Sequence, residues 1–297
     1  MRKLSAMIKR NTKLFFKDKG MFFTSLVTPL ILLLLFVTFL GDVYRDSLYA
    51  CIPAGMEVPD SVIEGFVGGW LFSSLLAVCC VTVAFCSNML MILDKVTGAR
   101  TDLMVSPVKK STLAIGYYVS TALSTLIVCG AALAACFLYL SQAGWYLSLQ
   151  DVLLTIFDVV LLTLFGTALS SVVNFFLNTQ GQMSAVGTIV SAAYGFICGA
   201  YMPISQLSEG VQKFISFLPG TYGTALLHNH LMQGVLAEME ANYFPTEIVE
   251  EIRKNFDNTM YFMGEPVQEG MMYLILGGAV AVLIAIYVVL HSLKKHK

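Results

Sequence analysis

The sequence is poor in charge. Only 12% of its 297 residues are charged and 57% are hydrophobic, whereas soluble globular domains carry about 25% charged residues. The few charges are also unevenly spread, because several stretches of 20 residues or more contain no Asp, Glu, Lys or Arg. This composition excludes an ordinary soluble domain and predicts an all-α membrane protein.

Cysteine pairs and catalytic motifs are also lacking. The seven cysteines show no CxxC pair and no metal-ligand spacing, so we interpret them as small apolar side chains. The sequence has no GxxxxGK[ST] phosphate loop, no HExxH and no GxSxG pattern. We therefore expect that the chain is not an enzyme and that it binds no metal, cofactor or nucleic acid itself.

Six apolar stretches predict six membrane spans, since about 20 apolar residues cross the hydrocarbon core. The predicted spans are about 20–41, 65–93, 113–140, 152–174, 184–203 and 271–292. The polar residues 178–182 predict the turn between the fourth and fifth spans. The first apolar run is too long for a cleavable signal peptide, so we expect it to be retained.

The distribution of charge predicts the orientation of these spans. The N-terminus, the 94–112 loop, the 175–183 turn and the C-terminal tail hold 14 of the 18 Lys and Arg residues. The opposite loops hold 15 of the 19 Asp and Glu residues. Because basic loops stay inside the cell, both termini are predicted to be cytoplasmic. We expect a multi-pass protein of the cytoplasmic (cell inner) membrane.

Residues 1–19 are predicted to form an amphipathic helix on the cytoplasmic membrane surface, ahead of a transmembrane domain that spans 20–297. Lysines and arginines alternate there with apolar residues at helical spacing, namely Leu4, Met7, Ile8, Leu14 and Phe15. Such a helix is attracted to anionic lipid. The alternative is a loose basic leader that only sets the orientation of the chain.

The segment 204–270 is predicted to lie outside the cell. Helical spacing on either side of Pro219 and Gly220 predicts two short re-entrant helices that dip into the outer membrane face before the last span. A short exposed helix is predicted to follow Thr246. The role of residues 236–268 stays open.

Asp158 is the one charged residue inside a predicted span, which makes it a candidate polar site. It follows Asp151 by seven residues, or about 10 Å of helix. Two interpretations remain open: a structural carboxylate near interfacial water, or a group that lines a pathway or pairs helices. His228 and His230 are two apart and would lie on different helix faces. We interpret them as exposed loop histidines rather than a metal site.

Three regions together resemble the type-2 ABC exporter permease family. The first is the basic start leading into Thr28-Pro29. The second is the cytoplasmic loop, where the matching positions are Asp94, Lys95, Gly98, Thr101, Ser106 and Pro107. The third, after the fifth span, is matched at Pro203, Leu218, Pro219, Thr221 and Tyr222. The glutamate-rich loop start that is usual in the family is reduced here to Asp94.

The resemblance implies a mechanism. A separate ATPase subunit, which would bind ATP and Mg²⁺, would dock against the N-terminal helix and the 94–110 loop, where Arg100 and Asp102 complete the predicted coupling residues. A second permease chain, identical or different, would enclose the path. ATP-driven closure would then move a lipid-like, drug-like or peptide cargo outward.

Two alternatives are weighed against this interpretation. A secondary transporter would favour ionisable groups near the midplane and internal repeats, whereas the sequence offers only Asp158 and shows no repeat between 1–140 and 150–297. A structural membrane subunit is the other alternative. Copurification of an ATPase would separate it from an exporter permease.

Overall fold

The computed structural model of the chain describes residues 2–53, 56, 58–105, 108–262 and 264–293. These residues are almost entirely helical. The first half contains α1 Arg2–Lys17, α2 Lys19–Leu35, a π-helical turn Phe36–Leu40, α3 Gly41–Cys51, α4 Asp60–Val96, α5 Ala99–Val105 and α6 Lys110–Ala143. The second half contains α7 Leu149–Phe176, α8 Gln180–Ile197, a 3₁₀ turn Ile204–Gln206, α9 Glu209–Ile215, α10 Pro219–Asn242, α11 Thr246–Asn255, strands β1 Tyr261–Phe262 and β2 Glu265–Pro266, and α12 Glu269–Leu293.

In the part of the chain that the structure describes, five helical segments are long and apolar enough to cross a membrane. They are α4, α6, α7, α12 and the continuous helix Lys19–Cys51 formed by α2, the π-helical turn and α3. The predicted first, second, third, fourth and sixth spans lie within them. α8 is not among the five, because its glutamines, serines and threonines dilute its apolar side chains. It also ends at Ile197, before the predicted end of the fifth span.

α4 lies at the centre of the protein. In its most apolar 18-residue window 94% of the residues are buried, against 17% in the first and last apolar segments. It packs against α2, α6, α7, α8 and α10. Glycines allow the closest approaches: a Cβ on Gly69 would lie 3.0 Å from the carbonyl oxygen of Leu231, and one on Gly166 would lie 2.7 Å from that of Cys80.

The two ends of the helical bundle are built differently. At one end, which we call the α1 end, α1 packs along α6 and reaches the C-terminal end of α4. At the other, the α11 end, α3 and α11 surround the beginning of α4 and the end of α10. Aromatic pairs hold this end, with ring centroids 4.1 Å apart for Tyr44 and Trp70 and 4.9 Å apart for Phe66 and Phe256.

The region before α12 differs from the sequence-based prediction. α9 is short, at seven residues, but α10 has 24 residues and packs against α4, α7 and α12. Pro219 does not break a helix. It is the first residue of α10, a position where its missing N–H costs nothing. His228 and His230 lie within α10 and are buried, so the interpretation of both as exposed loop histidines is wrong.

Candidate functional site

Three side chains from three helices form an ion-paired cluster at the α1 end, which we call the Asp94 cluster: Arg10, Asp94 and Tyr117. The Arg10 guanidinium donates two hydrogen bonds to the Asp94 carboxylate, at 2.8 and 2.9 Å. The Tyr117 hydroxyl donates a third at 2.6 Å. Two parallel bonds from arginine give strength and fix geometry. The cluster therefore fastens α1, α4 and α6 together.

Burial changes the expected role of Asp94 in the predicted coupling loop. Its side chain is 5% exposed, whereas that of Arg10 is 33% exposed. A partner subunit would therefore not contact the Asp94 carboxylate directly, and any role in coupling would come through the position of α1. Sequence reasoning missed both partners of Asp94, since Arg10 is one of several basic residues on α1 and Tyr117 lies in an apolar span.

The side chain of Lys95 also makes hydrogen bonds within the chain. Its ammonium group donates to the carbonyl oxygens of Asn174, Phe175 and Leu177 at 3.1, 2.8 and 2.6 Å. These carbonyls end α7, where the helix leaves its last acceptors unpaired and a cation is favourable. Lys95 therefore fixes the end of α7 to the end of α4.

The loop beyond Lys95 presents charged residues outward. Gly98 has a φ of +81°, the left-handed conformation that glycine adopts readily after a helix end. The chain then turns into α5, on which Arg100 is half-buried and both Thr101 and Asp102 are exposed. α5 is therefore a short exposed helix next to the end of α4.

Apolar side chains are also exposed on this loop. Val96, Met104 and Val105 are 47%, 38% and 83% exposed. Apolar patches rimmed by polar residues are typical of surfaces that contact another protein or a membrane. The predicted coupling residues Ser106 and Pro107 lie outside the described residues.

The residues of the predicted outer element, which lie before α10 and at its beginning, are close together in the structure. Pro203 is buried and directly precedes the 3₁₀ turn. Leu218 precedes α10, and Pro219 begins it. Whether these residues dip into a membrane face as a re-entrant element stays a prediction.

Two residues of the same element clamp α9 onto α10. The Thr221 hydroxyl donates to the carbonyl oxygen of Ile215 at 3.1 Å. The buried Tyr222 hydroxyl donates to that of Ser216 at 2.6 Å. Both acceptors lie at the end of α9, where carbonyls have no helical partner. The two hydroxyls thus have a structural role that their sequence motif alone does not show.

A buried carboxylate supports the 3₁₀ turn from the other side. Asp257 accepts hydrogen bonds from the backbone N–H groups of Ile204 and Ser205, the latter at 3.2 Å. Burial raises the pKa of Asp257 to about 6, although these backbone bonds oppose the increase. The segment after α11 is therefore tied to the segment before α9.

Asp158 belongs to a second cluster, which we call the Asp158 cluster: Asp158, His230 and Tyr273. One carboxylate oxygen lies 2.6 Å from His230 Nδ1, and the other accepts from the Tyr273 hydroxyl at 2.7 Å. The opposite ring nitrogen of His230 lies 4.0 Å from a carboxylate oxygen of Glu269. With none of its side chain exposed, Asp158 joins α7, α10 and α12. This geometry favours the helix-pairing interpretation.

His228 is held separately in the core. Its Nε2 lies 3.1 Å from the Ser74 hydroxyl oxygen, and its ring stacks on Trp70 at a centroid distance of 5.5 Å. Among the described residues, no group of three or more His, Cys, Asp or Glu side chains has an arrangement that would hold a metal ion. His228 and His230 thus contact Ser74, Trp70 and Asp158 within the core.

A large cleft opens between α2 and α8 and has α4 as its floor. Its volume is about 960 Å³. Most of its lining is apolar, but hydroxyl-bearing residues lie along it, namely Thr24, Thr28, Ser184, Thr188 and Ser191. We call it the α2–α8 cleft. Its mixed lining can contact both apolar and hydrogen-bonding groups.

Comparison with known proteins identifies the family. A family model described as ABC-2 type transporter matches residues 2–231, which include α1 to α9 and the first half of α10. No curated protein matches the chain. Proteins of this kind are membrane components of transporters that normally work with an ABC ATPase. With most of its length matched and several apolar helices, the chain belongs to the ABC-2 type transporter family and is a multi-pass permease subunit of an ABC transporter.

Proposed function

We propose that this permease subunit exports a lipid-like, drug-like or peptide cargo across the cytoplasmic membrane, powered by a separate ATPase that binds ATP and Mg²⁺. The Asp94 cluster is the observation that carries the proposal. It joins the surface helix α1 to the end of α4, immediately before exposed α5. A displacement of α1 or α5 by an ATPase would thus reach the central helix directly.

The exposed groups of α1 and α5 supply the proposed docking surface. α5 carries Thr101 and Asp102 beside the exposed apolar groups of Met104 and Val105. α1 carries exposed lysines close by. A charged rim around apolar groups suits a specific and reversible protein contact. Both termini would then be cytoplasmic, as the positive charge of this end indicates.

We further propose that α8 is a sixth crossing, which would bring both termini to the same side. Its polar residues Ser184 and Thr188 face the α2–α8 cleft, so a membrane-spanning α8 would not have to place them against lipid. A second permease chain placed against this cleft would shield those residues and enclose a path for cargo. The amphipathic lining supports a cargo with both apolar and polar groups.

Association with an ATPase tests the proposal. The chain would be purified in lipid nanodiscs with candidate ATPase subunits, and complex formation and ATP turnover would be measured for Asp94→Ala, Arg100→Ala and the exposed control Asp46→Ala. We expect Arg100→Ala to weaken association. We expect Asp94→Ala to weaken association less than Arg100→Ala, because the buried carboxylate does not touch the ATPase, but to lose stimulation of turnover, because the carboxylate positions α1 against α4. Asp46→Ala should behave as the unmodified chain.

Two results would oppose the proposal. If a folded chain binds no ATPase, a structural membrane subunit is favoured. If vesicles containing the chain alone move cargo in response to an ion gradient, the protein is a secondary transporter and the Asp158 cluster becomes its candidate ion site. Export is checked by cargo accumulation inside inside-out vesicles supplied with external ATP.

A further inference from the structure

A second groove lies on the other side of α2, between α2 and α6. Its volume is about 360 Å³. It runs along α2 from Phe22 to Leu33, which is about 16 Å at the helical rise of 1.5 Å per residue. Phe16 of α1 lines the groove at the end nearest the α1 end. We call it the α2–α6 groove.

The lining of this groove differs from that of the α2–α8 cleft. All its lining residues are apolar: Phe16, Phe22, Leu26, Pro29, Leu30, Leu33, Phe72, Leu75, Cys79, Ile127, Val128, Ala131, Ala132 and Ala135. Among the described residues, no hydroxyl, amide or charged side chain lines the groove. An occupant therefore needs no polar group along the length of the groove, because a buried polar group without a partner is unfavourable.

The size of the groove suits a hydrocarbon chain better than a whole helix. An α-helix with side chains is at least 10 Å across, so a 16 Å length of one would fill roughly 1300 Å³. The groove holds about 360 Å³. The groove therefore does not take in a whole helix of a second permease chain, whereas it can hold a flexible hydrocarbon chain.

The end of the groove at α1 is positively charged. Lys13 and Lys17 are exposed on α1. Lys13 precedes Phe16 by three residues, and Lys17 follows it directly. Residues three or four apart share a helix face, so Lys13 shares a face with both Phe16 and Lys17, and both lysines lie within about one helical turn of Phe16, which lines the groove. An apolar groove with two cations at its mouth is complementary to one molecule: a lipid with a negatively charged head group.

We infer that the α2–α6 groove binds one acyl chain of an anionic phospholipid, with its phosphate at Lys13 and Lys17. The lipid would fill the space between α2 and α6 and tie α1 to the bilayer. The inference does not depend on which cargo is exported or which ATPase is bound.

Native mass spectrometry of the full chain tests this inference. The protein is delipidated in detergent, and phosphatidylglycerol or phosphatidylcholine with identical acyl chains is added back. We expect phosphatidylglycerol to bind roughly tenfold more tightly, since each lysine near an anionic surface favours binding. Lys13→Gln with Lys17→Gln should remove this preference but leave the binding common to both lipids. Lys213→Gln with Lys254→Gln, exposed lysines outside α1, gives the same change in net charge as a control.

Two neighbouring alanines test the groove itself. Ala135 and Ala134 are both exposed on α6, but only Ala135 lines the groove. Ala135→Phe should lower the affinity for both lipids at least tenfold, whereas Ala134→Phe should leave both unchanged. Both variants should keep the unfolding temperature of the unmodified delipidated chain. Equal binding of the two lipids to the unmodified protein, or equal loss in the two alanine variants, would overturn the inference.

Discussion

Asp94 and Asp158 are both buried carboxylates in apolar helices, but their basic partners differ. Asp94, at the α1 end, faces the guanidinium of Arg10. Asp158, towards the α11 end, faces the imidazole of His230. Each also accepts a hydrogen bond from a tyrosine hydroxyl, Tyr117 or Tyr273. The two clusters thus share an arrangement and differ in one chemical property, because arginine keeps its charge at all relevant pH values and histidine does not.

This difference fits the roles that we propose for the two ends of the protein. A permanently charged pair resists separation, because removing one partner leaves a charge without compensation. It suits the junction of α1 and α4, where we propose that force from an ATPase enters. The Asp158 cluster can lose its charges by moving one proton, so the contact between α7, α10 and α12 can loosen at lower cost.

The largest effect is expected for Asp94→Asn. The amide has the size of the carboxylate but no charge, so the guanidinium of Arg10 is left uncompensated. We expect the free energy of unfolding in detergent to fall by about 3 kcal/mol, the lower end of the range for a broken buried pair, because Arg10 is partly exposed. Chemical denaturation checks the value. Asp102→Asn, an exposed carboxylate on α5, is the control and should change stability by less than about 0.5 kcal/mol.

The same substitution at the second cluster should cost less. Asp158→Asn leaves an imidazole that can become neutral, and the amide oxygen can still accept from Tyr273. We expect a loss of about 1.5 kcal/mol, the strength of one hydrogen bond to a charged group. The same denaturation experiment measures it. A cost equal to that of Asp94→Asn would mean that His230 is held charged, and the comparison of the two ends would fail.

Asp257 extends the comparison to a carboxylate held by backbone N–H groups. Its pKa is raised to about 6 in the folded chain, against about 3.9 in an unfolded one. The folded state therefore binds the proton more tightly, and stability falls as the pH rises between these two values. We expect a loss of about 1 kcal/mol between pH 5 and pH 7 from this group.

The pH dependence of Asp257→Asn isolates this contribution. The amide does not titrate, so the difference in unfolding free energy between pH 5 and pH 7 should be about 1 kcal/mol smaller in the variant than in the unmodified chain. Thermal unfolding in one detergent at both pH values gives the two slopes. Parallel slopes would show that Asp257 titrates near its unfolded pKa.

The sequence predicts α4 well but not the contacts that fasten it. The uncharged stretch 65–93 lies within α4, because a long apolar run has few alternatives in a membrane. Asp94, near the end of α4, pairs with Arg10, which is 84 positions away in the sequence. Hydrophobic periodicity shows that α1 has a polar face, but it does not show which of its cations turns inward. The packing of the helices determines that this cation is Arg10, because packing brings Tyr117 and Asp94 together at its position.

The sequence analysis did not predict α10 as one long helix, and the reason is physical. Pro219 and Gly220 near its beginning resemble a break, and two histidines near its middle resemble a loop. Inside the protein the same residues are favourable, because proline fits the first turn and Asp158 and Ser74 supply hydrogen-bonding partners for the imidazoles. A carboxylate inside a span implies a buried partner. That rule implies a buried partner for Asp158 but does not identify His230, which lies 72 positions further along the chain.

The smallest expected effect is the loss of one neutral hydrogen bond, and it is the reference against which the losses at the two charged clusters are compared. Tyr222→Phe removes only the neutral hydrogen bond between the Tyr222 hydroxyl and the carbonyl oxygen of Ser216, now 2.6 Å long. We expect a loss of about 1 kcal/mol, the net value of one such bond. Thermal unfolding of this variant beside Tyr49→Phe, where the ring is 46% exposed, separates the bond from the general effect of losing a hydroxyl. If Tyr222→Phe costs more than Asp158→Asn, then hydrogen bonding at the end of α9, rather than the charge of the Asp158 cluster, holds the region around α10 together.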